Sequence, residues 1–537
     1  MLFPKRRSLL QVCAIVSALV SAAALAQEAT GAKREPILSY IKQTWAVLTR
    51  SNRNLADAAV DPKFQPDSQG RWPVYAPAGE LDAIRASLQK EMTPADIRKI
   101  DLRALPPDVS NLHEQGLLYL PKPYVVPGGR FNEMYGWDSY FIQLGLLRDG
   151  KIELARDMAD NFLFEIQHYG KILNANRTYY LNRSQPPFLT QMLLGVYRKT
   201  KDRSWLEAAV PAIETYYHFW TSEPHLTPET GLSRYYDLGE GPAPEVLSAE
   251  KDAEGRNHYE LVKQYFRTHK VEDYDLGEYY DPRRDILTSL FYKGDRSMRE
   301  SGFDPSDRFG KFNIDIIHYN PVCLNSLLYL MERETAEIEQ ILGRLGAAAV
   351  WNKRANVRAE RINRLLWDPK AGLYFDYEFV HRHTRQYPFA TTFFPLWAGI
   401  ATPQQAAAVV RNLPLFEQPG GIQTSTHVSG NQWDAPFAWA PLQMIAADGV
   451  RRYGYAAEAD RISEKFLSMV LEQYQEHGII VEKYDAQRRS MDVSRGIQFG
   501  YSSNEAGFGW TNAVFTKLLD QLYAQWQDDL LNRLAPR

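Results

Sequence analysis

Apolar residues recur at helical spacing along most of this chain. Ten segments place them near positions i, i+3, i+4 and i+7, the spacing that lines one face of an α-helix. These predicted helices cover residues 39–50, 142–168, 187–200, 205–221, 321–342, 347–366, 403–412, 441–452, 456–477 and 512–534. Strand signals are short and fall at 71–75, 373–375 and 478–482. The pattern therefore predicts an all-α protein.

The predicted helices belong to one undivided body. No low-complexity linker separates them, and the sequence has no repeat of fixed period. So many helices without a boundary indicate concentric rings of paired helices, an (α/α)6 toroid, whose loops at one end enclose a central pocket. We assign residues 111–537 to the toroid and residues 27–110 to an N-terminal extension that packs on it. Region 239–284 is crowded with Asp, Glu, Tyr and Arg, and is either a lid over the pocket or a solvated excursion.

Composition narrows the range of partners. The chain has 537 residues, of which 45% are hydrophobic, and its net charge at pH 7 is −3. No long run of lysine or arginine is present, so we do not expect nucleic acid as a partner.

The amino terminus has the pattern of a secretory signal. A basic Lys5-Arg6-Arg7 stretch precedes apolar residues 9–25, and Ala24-Leu25-Ala26 matches a cleavage site. We predict a signal peptide over residues 1–26 and a periplasmic or secreted protein that leaves the membrane after cleavage. A membrane anchor is the competing interpretation, but small residues dominate the second half of the stretch and a polar segment follows it. The general secretory and twin-arginine routes both stay open.

Two segments combine aromatic and acidic residues in an unusual density. Residues 126–141 (VPGGRFNEMYGWDSYF) contain three glycines, five aromatic rings, an arginine and two acids. Residues 431–441 (NQWDAPFAWAP) form a second such segment about three hundred residues later. Rings that stack on a pyranose, together with charged groups that bind its hydroxyls, are typical of a sugar pocket. We therefore expect one sugar pocket that is assembled from distant segments.

Hydrolysis of a glycosidic bond needs two carboxyl groups, one to protonate the leaving oxygen and one to activate water or attack carbon. Three loop segments place carboxylates beside glycine and aromatic residues: 299–309 (RESGFDPSDRF), 481–484 (VEKY) and 504–512 (NEAGFGWTN). From their chemistry alone, all three segments stay open as the source of the pair.

The motifs taken together resemble the trehalase family of inverting glycosidases. PGGRFNEMYGWDSYF matches that family's first signature almost letter for letter, and QWDAPFAWAP matches its second. NANRTYYLNRSQPPF, RESGFD, VEKY and GFGWTN occur in the family's order, and the match runs from about residue 39 to near the carboxyl end. KPYVVPGGRF and YGWDSYFIQLGLL look closest to the neutral, cytosolic-type branch. The resemblance implies a helical toroid that hydrolyses α,α-trehalose to two glucose molecules.

The resemblance also implies roles for single residues. Asp304 would be the general acid, protonated near neutral pH through burial or a nearby negative charge, and Glu482 the general base. An inverting pair leaves room for water, with carboxyl groups about 6.5–9.5 Å apart. The implied substrate-binding residues are Arg130, Trp137, Asp138, Asn174, Arg183, Ser184, Gln185, Glu245, Gly302, Trp433, Asp434 and Glu505.

No cofactor or metal is implied, because protonation of the bridging oxygen suffices for this reaction. His381 and His383 lie two positions apart without a third ligand pattern, which is typical of surface histidines. We expect the disaccharide as the small-molecule partner and a monomeric protein.

Departures from the family pattern keep two other functions open. Ala243 stands where part of the family has an arginine that clamps the substrate, and Glu505 stands where relatives more often have glutamine. One alternative is therefore an inverting glycosidase of the same fold that acts on another α-glucoside or a modified trehalose. The other is a non-catalytic sugar-binding relative, against which the presence of both Asp304 and Glu482 argues.

Overall fold

The structure, a computed structural model, describes residues 36–523 except 110, 111, 113, 249, 250, 252, 253 and 502, together with 527, 530 and 531. The predicted signal peptide, residues 1–26, lies outside the described residues. Among those that are described, no helix is both long and apolar enough to cross a membrane.

Helices make up most of the described chain. In chain order they are α1 (Ile37–Val47), α2 (Leu55–Ala59), α3 (Leu81–Glu91), α4 (Pro94–Ile97), α5 (Gly136–Arg148), α6 (Ile152–Tyr169), α7 (Leu189–Thr200), α8 (Arg203–Trp220), α9 (Pro244–Leu247), α10 (His258–Thr268), α11 (Leu276–Tyr279), α12 (Ser289–Glu300), α13 (Val322–Ile341), α14 (Leu345–Leu365), α15 (Phe394–Ala398), α16 (Pro403–Arg411), α17 (Ala440–Arg452), α18 (Ala456–His477) and α19 (Gly509–Gln521). Turns of 3₁₀-helix occur at Asn52–Asn54, Ala78–Glu80, Thr178–Tyr180, Lys311–His318, Ala390–Phe393 and Leu413–Leu415.

The strands are short and connect the helices. They are β1 (Thr49–Arg50), β2 (Trp72–Ala76), β3 (Ile100–Ala104), β4 (Leu117–Leu118), β5 (Tyr124–Val125), β6 (Leu226–Thr227), β7 (Leu232–Ser233), β8 (Tyr280–Asp281), β9 (Ile286–Leu287), β10 (Tyr319–Asn320), β11 (Trp367–Asp368), β12 (Leu373–Tyr374), β13 (Tyr377–Glu378), β14 (His383–Thr384), β15 (Glu417–Gln418), β16 (Gly421–Ile422), β17 (Phe437–Trp439) and β18 (Lys483–Asp485). They pair in sheets of two or three strands.

Six helices form a closed inner ring. The order around the ring is α5, α7, α13, α15, α17 and α19, each packed against the next, and α19 returns to α5. An outer layer of helices surrounds this ring. Each of α6, α8, α14 and α18 packs on the inner helix that precedes it in the chain. Helix α16 follows α15, and α1 packs on α19. The predicted all-α (α/α)6 toroid is confirmed.

The two rings differ in how their helices are buried. Almost every residue of α5 and α17 is buried, since these inner helices have neighbours on all sides. The outer helix α18 buries one face, with apolar residues at helical spacing. This difference explains an error in the sequence prediction. The predicted helix 142–168 merges the end of α5 with α6, although Gly150, at φ 77°, separates them.

Other boundaries also depart from the prediction. The predicted strand 478–482 is wrong: Gly478 ends α18, and the strand of this region is β18, which pairs antiparallel with β17. The helix predicted at 512–534 begins earlier, at Gly509, and α19 ends at Gln521. Residues 527, 530 and 531 are helical, and the rest of the predicted range after 523 lies outside the described residues. The apolar pattern does not predict helices α10, α12 and α15. Helix α15 is only five residues long, and α10 and α12 are rich in polar residues.

Residues before the toroid form a small α/β unit. Its sheet has the order β3-β2-β4 with parallel pairing, and its apolar cluster includes Ile84 and Leu88 of α3. Buried Arg177 fastens this unit to the toroid by donating to the carbonyl oxygens of Ala58, Ala59 and Val60. Strand β4 lies beyond the boundary predicted at residue 110, and the division into extension and catalytic domain stays a prediction.

The described part of region 239–284 packs around an apolar cluster of its own. Tyr259 and Phe266 of α10 join Phe291 of α12 and Phe312 in this cluster. Two residues of region 239–284 also contact the toroid: Glu245 binds Arg183, and Tyr259 binds Asp295. The region is therefore neither a free lid nor a purely solvated excursion.

A glycine allows the close approach of α12 to the 3₁₀ turns at 311–318. A Cβ atom on Gly294 would overlap the carbonyl oxygen of Ile314. We expect Gly294→Ala to lower the free energy of unfolding by about 1–3 kcal/mol, because the helix must move away from a backbone atom. Gly346→Ala in α14, where no described atom lies within 4 Å, is the matched control and should be neutral or stabilising. Urea unfolding of both variants checks this, and equal midpoints would contradict it.

Candidate active site

The topology gathers the predicted site at one end of the ring. Inner and outer helices alternate along the chain, so the inner helices run in one direction and their N-terminal ends lie together. The segments that carry predicted residues, 130–138, 174–185, 299–308, 431–434 and 482–505, each precede an inner helix or begin it. Hydrogen bonds between these segments, given below, show that they meet.

Residues of the first signature, 126–141, form hydrogen bonds with two other segments of the site. The backbone N–H of Trp137 donates to Gln185 Oε1 at 2.9 Å, and both side chains are buried. The Arg130 N–H donates to Glu505 Oε1 at 2.9 Å, and Arg130 Nε lies 3.4 Å from Glu505 Oε2. Arg130 keeps 43% of its side chain exposed, so its remaining donors are open to a ligand.

Asp138 is the buried acid of this signature. It begins α5 and is 5% exposed. Burial is the main cause that raises its pKa well above the usual value, and the negative charges of Glu482 and Asp304 add to the rise. The three carboxyl groups therefore share one electrostatic environment.

Arg183 is the buried cation of the 174–185 segment. Its Nε donates to Asp237 at 2.8 Å and its Nη1 to Glu245 at 2.6 Å. Its Nη2 has no partner among the described residues, although the side chain is 1% exposed. A buried guanidinium with one free donor nitrogen is suited to bind a hydroxyl group.

Two neighbours of Arg183 are held by hydrogen bonds to the protein, Ser184 through its side chain and Asn174 through its backbone. The Ser184 hydroxyl donates to the carbonyl of Ile172 at 2.6 Å, and the Ser184 N–H donates to buried Glu300. Asn174 contributes its backbone, which pairs with Arg183 and Gly136, and its side chain is 5% exposed.

Asp304 lies on the loop after α12. Its carboxyl is surrounded by protein, yet 34% of the side chain is accessible, as expected at the floor of an open pocket. Burial raises the pKa of Asp304 to about 6, while the cations Arg299 and Arg183 oppose the rise. Arg299 Nη1 lies 3.8 Å from Asp304 Oδ2. Asp304 is therefore protonated at pH values where an ordinary aspartate is ionised.

Gly302 fits this loop against the first signature. Its φ of 75° is left-handed, and a Cβ atom there would lie 3.0 Å from the Trp137 indole ring. Trp137 also meets Phe303, Trp433 and Trp510 at centroid distances of 5.4–5.7 Å. These rings form a rigid aromatic floor beside Asp304.

Glu482 lies directly before β18 and is 2% exposed. Its N–H donates to the carbonyl of Glu505, and its own carbonyl accepts the Trp510 indole N–H at 3.1 Å. Its carboxylate accepts Tyr501 Oη–H at 2.5 Å on Oε1, and Lys483 Nζ lies 3.3 Å from Oε2. The backbone and both carboxylate oxygens of Glu482 are thus fixed.

Gln432 connects the loop of Asp304 to the surroundings of Glu482. Its Nε2 donates to the backbone carbonyl of Asp304. Its Oε1 accepts from Lys483 Nζ and from the Tyr501 N–H, each at 3.4 Å. The Gln432 side chain therefore links the loop that carries Asp304 to Lys483 and Tyr501, the residues that contact the Glu482 carboxylate.

The remaining residues of the second signature support the site from behind. Trp433 stacks on Trp439 at 3.8 Å and is 2% exposed. Asp434 is fully buried, and its carboxylate accepts hydrogen bonds from four donors: Tyr387 Oη, Ser425 Oγ, Ser429 Oγ and the N–H of Asp307. Burial raises the pKa of Asp434 to about 7, which the hydroxyls of Ser429 and Ser425 oppose.

Sequence reasoning missed several residues of the site. Arg299, Gln432 and Lys483 stand inside the RESGFD, QWD and VEKY motifs, so their position in the motif is a usable signal. Tyr501 lies in a stretch of Gly, Ser and Gln without a motif, and only the folded chain brings it to Glu482. Within the described part of the chain, no three His, Cys, Asp or Glu side chains converge as metal ligands do.

The sequence matches known proteins along most of its length. The family model described as Trehalase matches residues 22–523. A cytosolic neutral trehalase of Emericella nidulans is 36% identical over 550 residues, which cover 89% of this chain and 71% of that protein. A cytosolic neutral trehalase of Saccharomyces cerevisiae is 40% identical over 436 residues, which cover 73% of this chain and 56% of that protein.

Solved structures share the fold. Neutral trehalase Nth1 from Saccharomyces cerevisiae has a TM-score of 0.77 at 33% identity, covering 94% of this chain and 97% of that chain. A GH63 mannosylglycerate hydrolase from Thermus thermophilus, in complex with glucose, has a TM-score of 0.50 at 18% identity, covering 73% of this chain and 95% of that chain. The second likeness is one of fold alone.

A closed double ring of helices, with carboxyl and aromatic residues on loops at one end, defines the class: a toroidal glycoside hydrolase. Relatives of that kind match this chain over nine tenths of its length. The chain belongs to the trehalase family.

The prediction of a periplasmic or secreted protein is contradicted by these comparisons. Relatives that match most of the chain are named cytosolic neutral trehalases, which points to a cytosolic protein. The export pattern is short and rests on composition, whereas the likeness to cytosolic relatives covers most of the chain. The signal peptide predicted at 1–26 has no support from the comparisons.

Gly302→Ala tests the packing of the loop that carries Asp304. We expect it to lower the free energy of unfolding by about 1–2 kcal/mol through the left-handed backbone and by about 1–3 kcal/mol more through pressure on Trp137. Gly170→Ala, with φ 73° and no described atom within 4 Å, is the control and should show the backbone cost alone. Urea unfolding and near-ultraviolet circular dichroism measure both variants. The tryptophan signal should change only in Gly302→Ala, and equal effects would contradict the close contact.

Proposed function

We propose that this chain hydrolyses α,α-trehalose to two glucose molecules with inversion at one anomeric carbon. Inversion requires one acid and one base on opposite sides of the scissile bond. The observation that carries the proposal is the Gln432 bridge, which joins the loop of Asp304 to Lys483 and Tyr501, the two partners of the Glu482 carboxylate. Both residues that the reaction needs thus belong to one site.

Asp304 acts in this proposal as the general acid. A pKa of about 6 leaves a useful protonated fraction near neutral pH, and the accessible part of the side chain lets it reach the bridging oxygen. Protonation of this oxygen makes the departing glucose a neutral alcohol. Arg299 and Arg183 then stabilise the carboxylate that remains.

Glu482 acts as the general base. Donors on both oxygens hold its carboxylate, and a general base must take a proton from water. We propose a water-sized separation of about 6.5–9.5 Å between the carboxyl groups of Asp304 and Glu482. Water then attacks the anomeric carbon from the side opposite to the departing glucose.

The sugar rings are bound by the surrounding polar and aromatic residues. We assign hydroxyl binding to the exposed donors of Arg130, to the buried Arg183 Nη2 that has no described partner, and to the carboxyl or amide groups near them. We assign apolar contact to the tryptophans. The proposed binding residues are Arg130, Trp137, Asp138, Asn174, Arg183, Gln185, Glu245, Gly302, Trp433 and Glu505. For Ser184 and Asp434 we propose a supporting role, because their side-chain groups are enclosed by protein partners.

Substitution of either carboxyl residue should abolish hydrolysis. Asp304→Asn and Glu482→Gln should each lower kcat by about 10²–10⁴-fold, because each removes a group that transfers a proton in the transition state. Glucose release from trehalose measures this. Proton NMR of the first turnovers should show equal α- and β-glucose, as inversion at one centre requires.

Exposed Glu272→Gln is the control and should keep wild-type activity. Thermal unfolding of the variants confirms that they are folded. Full activity in Asp304→Asn or Glu482→Gln would refute the assignment, and α-glucose alone would refute inversion. Turnover of another α-linked disaccharide at a rate above that of trehalose would favour the alternative substrate, and trehalose binding without hydrolysis would favour a binding protein.

The pH dependence of hydrolysis should change when Arg299, the cation beside Asp304, is removed. Arg299 stabilises the ionised form of Asp304, so Arg299→Gln should raise the pKa of Asp304. The acid then stays protonated to higher pH, and the alkaline limb of the kcat/KM profile should move up by about one unit. Exposed Arg283→Gln is the control and should keep the wild-type limb. A limb that stays in place or moves down in Arg299→Gln would contradict this assignment.

A further inference from the structure

Each oxygen of the Glu482 carboxylate contacts a polar side chain that takes no part in the proposed proton transfers. Tyr501 Oη–H donates to Oε1 at 2.5 Å, and Lys483 Nζ lies 3.3 Å from Oε2. Glu482 is 2% exposed and Lys483 is fully buried. A carboxylate that is held from both oxygens has a fixed orientation.

The Tyr501 ring itself contacts two cations. Lys483 Nζ lies 3.7 Å from the ring centroid, and the Arg130 guanidinium carbon lies 5.0 Å from it. Contacts of this kind attract a cation to the ring face. Arg130 is fixed in turn by Glu505, so the phenol has little freedom to turn away from Glu482.

The ammonium group of Lys483 is held by further acceptors. It also reaches Gln432 Oε1 at 3.4 Å and the carbonyl of Ser503 at 3.3 Å. Through Gln432 the same ammonium is connected to the backbone of Asp304. The position of Glu482 is thereby set relative to the loop of Asp304.

Protonation states agree with this arrangement. Burial, followed by the charge of Glu482, raises the pKa of Tyr501 well above its usual value, so the phenol remains a donor. Burial lowers the pKa of Lys483, and the charge of Glu482 opposes this. The phenol is therefore not suited to replace Glu482 as a base.

We propose that Tyr501 and Lys483 are positioning residues that hold the Glu482 carboxylate oriented toward the attacking water. This inference rests on the proposed function, in which Glu482 is the base. Two other roles compete with it: Tyr501 as a packing residue, and Tyr501 as a sugar-binding residue.

Tyr501→Phe removes the donor and keeps the ring beside the two cations. We expect kcat on trehalose to fall by about tenfold to a hundredfold, with KM changed by less than about threefold, since a hydrogen bond to a charged group is lost. Lys483→Gln should lower kcat in the same way.

Tyr484→Phe is the matched control. Its residue lies two positions from Glu482, but its hydroxyl accepts the N–H of Val481 at 3.2 Å rather than donating to the carboxylate. This variant should lose stability in thermal unfolding and keep the wild-type kcat and KM. A purely structural effect of removing a tyrosine hydroxyl near Glu482 would appear equally in both variants.

The outcomes separate the competing roles. An unchanged kcat in Tyr501→Phe would overturn the proposal in favour of packing, and a rise in KM alone would overturn it in favour of sugar binding. A wild-type protein that releases no glucose from trehalose, or a fully active Glu482→Gln, would refute the proposed function instead. The two failures are therefore distinguishable in the same set of assays.

Discussion

Closure of the inner ring, where α19 meets α5, is the constraint on which the site depends. A Cβ atom on Gly145 would lie 2.6 Å from the Trp45 ring and 3.0 Å from Ala513, and one on Gly509 would lie 2.8 Å from Ile142. The helices can approach this closely only because these positions lack side chains. The contact brings Arg130 to Glu505, 375 residues further along the chain, and so joins the first signature to the surroundings of Glu482. Ordering so long a loop costs entropy, which the packed ring must offset.

The two carboxyl residues proposed for catalysis lie in contrasting environments within this closed ring. Asp304 meets its nearest cation only at 3.8 Å, and burial raises its pKa to about 6. Glu482 is more deeply buried, but it has a phenol and an ammonium group directly on its oxygens. Two carboxyl groups therefore stand in different surroundings, one accessible at its side chain and one held by donors on both oxygens. Asp138, whose own pKa is raised well above the usual value, adds little negative charge between them.

The fold and the motif residues are accessible from the sequence for physical reasons. Outer helices such as α18 bury one face, so periodicity predicts them well. Inner helices are buried all round, which weakens the periodic signal and explains the merged prediction across Gly150. Motif spacing places Asp304 and Glu482 on loops, but it carries no information about contacts between loops. Tyr501 meets Glu482 only because β18 and the segment before α19 fold back on each other, and the enclosure of Asp434 by four donors is equally a property of the folded chain.

The contacts of region 239–284 bear on position 243, where this chain has alanine and part of the trehalase family has arginine. Ala243 is fully buried, and its N–H donates to Tyr259 Oη at 3.0 Å. Tyr259 in turn donates to Asp295, which binds Arg299 at 2.9 Å. Arg299 is the cation beside Asp304. The chain of contacts that starts at Ala243 therefore ends at a guanidinium next to the proposed acid, so the absence of an arginine at 243 does not leave that acid without a neighbouring positive charge. Because α12 supplies this charge from a buried ion pair that Tyr259 supports, region 239–284 helps to set the environment of the acid.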